Sequence, residues 1–251
     1  MLELGLFFSG IIISSAAMAI GIGGGILWTP LLILVYKLSP QEAIATSLLI
    51  QVIGMGSGSI AYYRAGLVKT KLSLIFFLFA LPGVIIGSLI TVKLAEQTVQ
   101  MALGIMSMML AILFVNNRDE ASENTSRAYT RKDIAHILPI PAFFGFTLGT
   151  LSLGIGEWLI PALRSKLKLG MTTSIATVIP VMFLLVIVAS IIHWSFTRDL
   201  HLNYFIWGAS GTLIGGQIGA HISRRLDERI LKQSFIYIMT LIGIHLIFQS
   251  I

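Results

Sequence analysis

Apolar and polar positions fall in long blocks along this chain, without the short alternation of strands or the one-sided stripe of soluble helices. The apolar runs cover roughly residues 4–36, 42–63, 72–92, 98–115, 134–163, 171–196, 203–222 and 233–250. The run from Leu72 to Val92 holds 21 residues without a charge. At about 1.5 Å per residue, such a helix spans a ~30 Å hydrocarbon core. A transmembrane barrel would show short alternating segments instead. The pattern therefore predicts an all-α polytopic membrane protein. One stretch, "NNRDEASENTSRAYTRKD" at 116–133, is mixed in charge and without apolar period. It reads as a solvated linker between an N-terminal transmembrane unit, 1–115, and a C-terminal one, 134–251.

The two units repeat each other. At an offset of 131, "GGGILWTPLLILVYKLSPQEAIATS" (23–47) overlies "GIGEWLIPALRSKLKLGMTTSIATV" (154–178) without a gap, with nine of 25 positions identical. The shared residues include Gly23/Gly154, Gly25/Gly156, Pro30/Pro161 and Thr46/Thr177. With small shifts, Gly83 and Gly87 overlie Gly211 and Gly215, and Glu96 overlies Glu228. Such Gly-xxx-Gly pairs suit close helix packing.

Runs 4–36 and 134–163 exceed a single span, and each holds a glycine-rich interruption, "GIGGGILWTP" or "LGIGEWLIP". The basic residues bear on how these runs lie. If every run crosses once, Lys and Arg split eight against nine. If each interrupted run enters and returns, as a hairpin or re-entrant pair, 14 of the 17 fall on one side. The second arrangement obeys the positive-inside rule. It puts both termini outside and the 116–133 linker in the cytoplasm. Each unit then crosses an odd number of times, so the second is inverted relative to the first. Inverted repeats with broken helices are a common plan of secondary transporters.

Irregular backbone at membrane depth is tolerated where it is buried in protein or lines a wet cavity. Glycine allows positive φ and close approach of a ligand. A helix starting after Gly25 would aim amide N–H groups and its positive dipole end at the break. That is the chemistry of an anion site. Pro30 would fall in the early turns of this helix, where a missing N–H costs least. Gly154, Gly156 and Pro161 repeat the plan. On the next helix Ser47, Gln51, Gly54 and Gly58 share a face bordered by Thr46, offering hydrogen-bond donors to an oxyanion. In the second unit Thr177 takes the place of Thr46, but Val178 replaces Ser47 and Met182 replaces Gln51, so any such site is asymmetric. Interhelical hydrogen bonding is the alternative role of these polar side chains, and tight packing that of the glycines.

Glu157 stands where the first unit has Ile26. It can cap its helix, carry a proton that accompanies the anion, or bind Na⁺. His136, His193 and His245 lack metal-ligand spacing and read as interfacial or packing residues. Trp194, Tyr204 and Trp207, with His193, suggest an aromatic belt near Arg198. Met101, Met106, Met108 and Met109 read as lipid-facing or packing residues.

Composition narrows the classes further. The chain is 56% hydrophobic and 11% charged, with a net charge of +6. The basic residues lie between the apolar runs, so they report orientation in a bilayer rather than nucleic-acid binding. Cysteine is absent, which removes thiol chemistry and disulfides. No Walker loop, HExxH or GxSxG sequence occurs, so no enzyme and no resident metal or cofactor is expected. A homo-oligomer is compatible with the pattern.

"GIGGGILWTPLLIL", "AIATSLL", the basic turn "YYRAGLVKTK" and the repeat "LGIGEWLIPAL" together resemble the TauE/SafE sulfite exporter family, also called the toluene-sulfonate uptake permease family. The resemblance covers nearly the whole chain. It implies an inner-membrane transporter of sulfur-containing anions such as sulfite, sulfonates or thiosulfate. The matching motif points to Gly23, Gly24, Gly25, Pro30, Thr46 and Ser47, with Gly154, Gly156 and Pro161 in the repeat. Trp158 and Glu157 occupy the region where the second unit departs from the triple glycine. The expected function is a secondary transporter working by alternating access. A passive anion channel and a non-transporting membrane subunit are the competing readings.

Overall fold

The computed structural model describes residues 2–116, 130–196, 201–223, 237 and 240–248. The expected match at Glu228, the Arg198 loop and residues 117–129 of the linker lie outside them. Among the described residues the protein is all-helical: α1 (Leu2–Ile20), α2 (Gly25–Leu34), α3 (Pro40–Arg64), α4 (Thr70–Thr91), α5 (Glu96–Asn116), α6 (Arg131–Ala135), α7 (Pro139–Leu151), α8 (Ile155–Leu167), α9 (Met171–Phe196) and α10 (Leu202–Ile222). Five segments are long and apolar enough to cross a membrane: Glu3–Ile20, Pro40–Arg64, Thr70–Thr91, Arg131–Leu151 and Met171–Phe196.

Local chemistry sets several boundaries. The sequence "SPQE" starts α3 with a capping box. The Ser39 hydroxyl accepts from the Glu42 amide, the Glu42 carboxylate accepts from the Ser39 amide, and Pro40 takes the first helical position. α2 and α8 end alike. Lys37 (φ 58°) and Lys168 (φ 54°), one repeat apart, take the left-handed conformation. The following amides of Leu38 and Leu169 then reach back to the carbonyls of Leu32 and Leu163.

Register between neighbours fixes the helix directions. Phe7, Ile11 and Ser15 of α1 meet Gly211, Gly215 and Gly219 of α10, so these helices run the same way. α3 joins them in parallel, with Ile50, Gly54 and Ser57 beside Gly208, Thr212 and Gly216. A second parallel group is formed by α4, α7 and α9. Gly83 and Gly87 of α4 sit on the carbonyls of Ala142 and Phe146 of α7. Ser73 donates to the Thr177 carbonyl at 2.7 Å, and His193 meets the Gly149 carbonyl at 2.9 Å. The groups oppose one another where α3 meets α9. Gly56 lies against Phe183, while Lys69, past the end of α3, reaches back to Thr177.

The glycine partners correct the sequence register of α10. Ile11 and Ser15 are the 131-offset counterparts of Ala142 and Phe146, and they receive Gly215 and Gly219. Gly83 and Gly87 therefore correspond to Gly215 and Gly219, not to Gly211 and Gly215. The expected pairing rested on Gly-xxx-Gly spacing, which α10 satisfies twice. His193 takes the packing role of the two expected for it and does not belong to an aromatic belt. It is fully buried within the bundle, while the neighbouring Trp194 is exposed.

Both interrupted runs double back. α1 ends at Ile20, the φ of 82° at Gly21 turns the chain, and residues 21–24 are non-helical before α2 begins. By Tyr36 the chain has returned beside Gly5: the Tyr36 hydroxyl lies 3.3 Å from where a Gly5 Cβ would stand. In the second run Ser152 (φ 64°) and Gly154 (φ 118°) make the turn between α7 and α8. Trp158 of α8 then stacks on Phe144 of α7 at 4.7 Å.

Candidate functional site

The two chain reversals meet at the centre of the bundle. A Cβ on Gly25 would overlap the Ser152 carbonyl oxygen, and one on Gly156 would come within 2.6 Å of the Gly21 carbonyl oxygen. Gly25 and Gly156 are counterparts at the 131 offset, and so are Gly21 and Ser152. The contact is thus made twice, once from each side, and both times only glycine leaves room for it.

Glu157 ties the reversals together. Its Oε2 accepts from the Gly154 amide at 3.2 Å, capping its own helix. Its Oε1 accepts from the Gly23 amide at 3.2 Å, on the opposite reversal. The side chain is 1% exposed. No cation pairs with it among the described residues. Capping was one of the roles expected for it; the reach to Gly23 was not.

A polar cluster lies beside this bridge. The Gln51 amide nitrogen donates to the Ser152 hydroxyl at 2.6 Å, to the Ser47 hydroxyl at 3.1 Å and to the Ser47 carbonyl at 3.2 Å. The Ser47 and Ser152 hydroxyl oxygens are 3.5 Å apart. All three side chains are buried. At the counterpart of Gln51, Met182 packs its thioether against Gly23 and Gly156. One side of the junction is therefore lined by hydroxyls and an amide. The other is lined by Met182, with Ile160 and Ile175 around Gly21.

The structure thus gathers Gly23, Gly24, Gly25, Ser47, Gln51, Gly154, Gly156 and Glu157. Gly24 lies beside Gln51 and caps α2, its carbonyl accepting from Leu27 and Trp28. The Ile26 and Leu27 amides close short bonds to the Gly23 and Gly24 carbonyls, so fewer donors face the break than an open helix end would offer. The other candidates are not hydrogen-bonded to the cluster. Thr46 is buried with no partner for its hydroxyl. Thr177 donates to Thr173 and accepts from the Lys69 amide, at the start of α4. Trp158 turns toward α7. Pro30 is the sixth residue of α2 and Pro161 the seventh of α8. Both lie past the first turn, so each leaves the carbonyl four residues back without its helical partner.

Ser152 is the residue that sequence reasoning missed. Its only signal is its place: it is the counterpart of Gly21, where a left-handed turn is required. A serine in that conformation is uncommon, and here its hydroxyl is the shortest hydrogen-bond partner of Gln51.

An all-helical, multi-pass bundle with apolar spans and a buried polar junction between two chain reversals defines a polytopic membrane protein, and comparison with known proteins gives its class. The chain belongs to the family described as sulfite exporter TauE/SafE, which matches residues 6–246. Relatives in Bacillus subtilis (strain 168) are similar end to end. "Probable membrane transporter protein YunE" is 25% identical over 96% of both chains. "Probable membrane transporter protein YdhB" is 26% identical over 97% of this chain and 98% of its own. "Probable membrane transporter protein YjnA" is 26% identical over 98% of this chain and all of its own. No solved structure matches significantly. The protein is a membrane transporter of this family, not an enzyme.

Proposed function

We propose that the protein is a secondary transporter of small sulfur-containing anions, sulfite or organosulfonates, in the bacterial inner membrane. The substrate binds at the junction of the two reversals. Residues 1–115 and 134–251 act as inverted repeats that rock about this junction, exposing it to one side at a time. The termini lie outside and the 116–133 linker lies in the cytoplasm. Support for the inverted arrangement comes from the two antiparallel helix groups, each of which takes one helix from the other repeat, and from the basic-residue bias.

One observation carries the anion assignment. Two backbone amides from opposite reversals converge on the two oxygens of one carboxylate, Glu157. The same donors, with the Ser47, Gln51 and Ser152 cluster, suit the oxygens of a sulfite or sulfonate group. Glu157 is the candidate carrier of a coupling proton, or a ligand for Na⁺. Along α3, α8 and α9 the titratable side chains stand away from it in sequence: Glu42, Tyr62, Tyr63 and Arg64 on α3, Arg164 and Lys166 on α8, His193 on α9.

Proteoliposomes test this directly. Sulfite, sulfoacetate and thiosulfate uptake is measured with an imposed pH or Na⁺ gradient, with chloride as control. Accumulation above the external concentration, driven by one gradient, is expected. Downhill flux alone would reject coupling to either gradient, and no flux of any sulfur anion would reject the substrate class.

A further inference from the structure

Resting on the central site just proposed, we infer that Glu157 is a tethered substitute for the substrate: its carboxylate fills the anion position of the empty carrier, and the substrate anion takes over the Gly23 and Gly154 amides when it binds. A helix cap needs only the Gly154 contact, which Glu157 makes within its own chain turn. The contact with Gly23, 134 residues away, adds nothing to that cap. It does what a bound ligand would do, bridging the two reversals with one pair of oxygens. The position is buried, and each amide gives its single hydrogen to a Glu157 oxygen, so carboxylate and substrate anion cannot both hold these amides.

Two consequences follow for the transport cycle. A carrier must close around its site while empty in order to return and pick up more cargo. With Glu157 seated on both reversals, the empty form keeps the hydrogen bonds that close the loaded form. Substrate must also displace this internal competitor. Its apparent affinity is reduced by the fraction of time the site is free.

Removing the carboxylate separates this role from capping. In Glu157→Ala the amides of Gly23 and Gly154 face a carboxylate-sized gap, and formate is the probe that refits it. Formate at millimolar concentration is expected to raise the melting temperature of the purified Glu157→Ala protein by about 2 °C or more through mass action, and to leave the wild type unmoved. A rise of equal size in both proteins, or none in the variant, would overturn the inference. Glu157→Gln supplies a second measurement, because its amide still fits the helix turn but offers one acceptor oxygen in place of two. Its apparent affinity for sulfite should tighten about tenfold as the competitor is lost. The ratio of sulfite exchange to net sulfite flux should rise by a similar factor, because only the empty return is impaired. Weaker affinity, or an unchanged ratio, contradicts the inference. The formate result does not depend on which anion is the substrate. Failure of wild-type sulfite transport would strike the proposed function, while a failed formate response strikes this inference.

Discussion

Gly25 abuts Ser152 so closely that a single added methyl group would overlap the serine carbonyl. One residue earlier the picture differs: a Cβ on Gly24 would make ordinary contacts, 3.5 Å from Trp28 and 3.6 Å from Gln51. The three glycines in a row are therefore not equivalent. Gly25→Ala is expected to destabilise the protein by about 1–3 kcal/mol through overpacking. Gly24→Ala should melt close to the wild type. Melting curves of the two variants in detergent compare them; equal melting temperatures would mean that the reversals do not touch at Gly25.

Gln51 and Met182 are counterparts, yet one is a hydrogen-bond hub and the other a plug of thioether. Gln51→Met makes the first half resemble the second and leaves the Ser47 and Ser152 hydroxyls without their donor. If these groups bind the substrate, the loss should be about 1–3 kcal/mol, or about 5- to 150-fold in apparent affinity for sulfite. Titration of purified protein reads it. Unchanged affinity would leave Gln51 an interhelical brace and nothing more.

The Tyr62 hydroxyl donates to the Met18 carbonyl at 2.7 Å, and 131 positions later His193 meets the Gly149 carbonyl at 2.9 Å. Two different side chains make the same tie, pinning the end of the helix before each reversal. Tyr62→Phe should cost about 1 kcal/mol by stranding a buried carbonyl. Chemical denaturation of the folded protein measures it. No change in midpoint would mean that water or another donor takes over.

Lys37 and Lys168 are exposed counterparts at the 131 offset, and the inverted arrangement proposed above would put them on opposite faces of the membrane. The chain has no cysteine, so a single introduced thiol is an unambiguous reporter. In intact cells a membrane-impermeant maleimide should label Lys37→Cys. Lys168→Cys should react only after permeabilisation. Labelling of both from the same side would contradict the inverted arrangement.

Much of this was legible in the chain because the informative residues are the ones backbone geometry demands. Gly21, Gly23, Gly25 and Gly154 mark the reversals, since few other residues turn back at such close quarters. The offset of 131 survives as far as Tyr62 and His193, although neither residue resembles its counterpart. What stayed hidden needed three dimensions. Ser152 does a glycine's work in the left-handed region, so composition gave no hint of it. The partner of Glu157 is 134 residues away. The glycines of α10 offered two equally good registers, and only the carbonyls of α1 select between them. His193 follows a run that suggests an interfacial belt, but its ring reaches inward to a main-chain oxygen.

The exchange of helices between the halves bears on how the protein is made. The Ser15 hydroxyl of α1 donates to the Gly215 carbonyl of α10, 200 residues further on. α1 therefore leaves the ribosome and enters the bilayer without its principal neighbour, and waits while about 200 further residues are synthesised. Until then its glycine-fitted face must be covered by lipid, by the insertion machinery or by a temporary partner. The half that carries α1, expressed by itself, would leave that helix without the glycine face it fits, which comes only with α10.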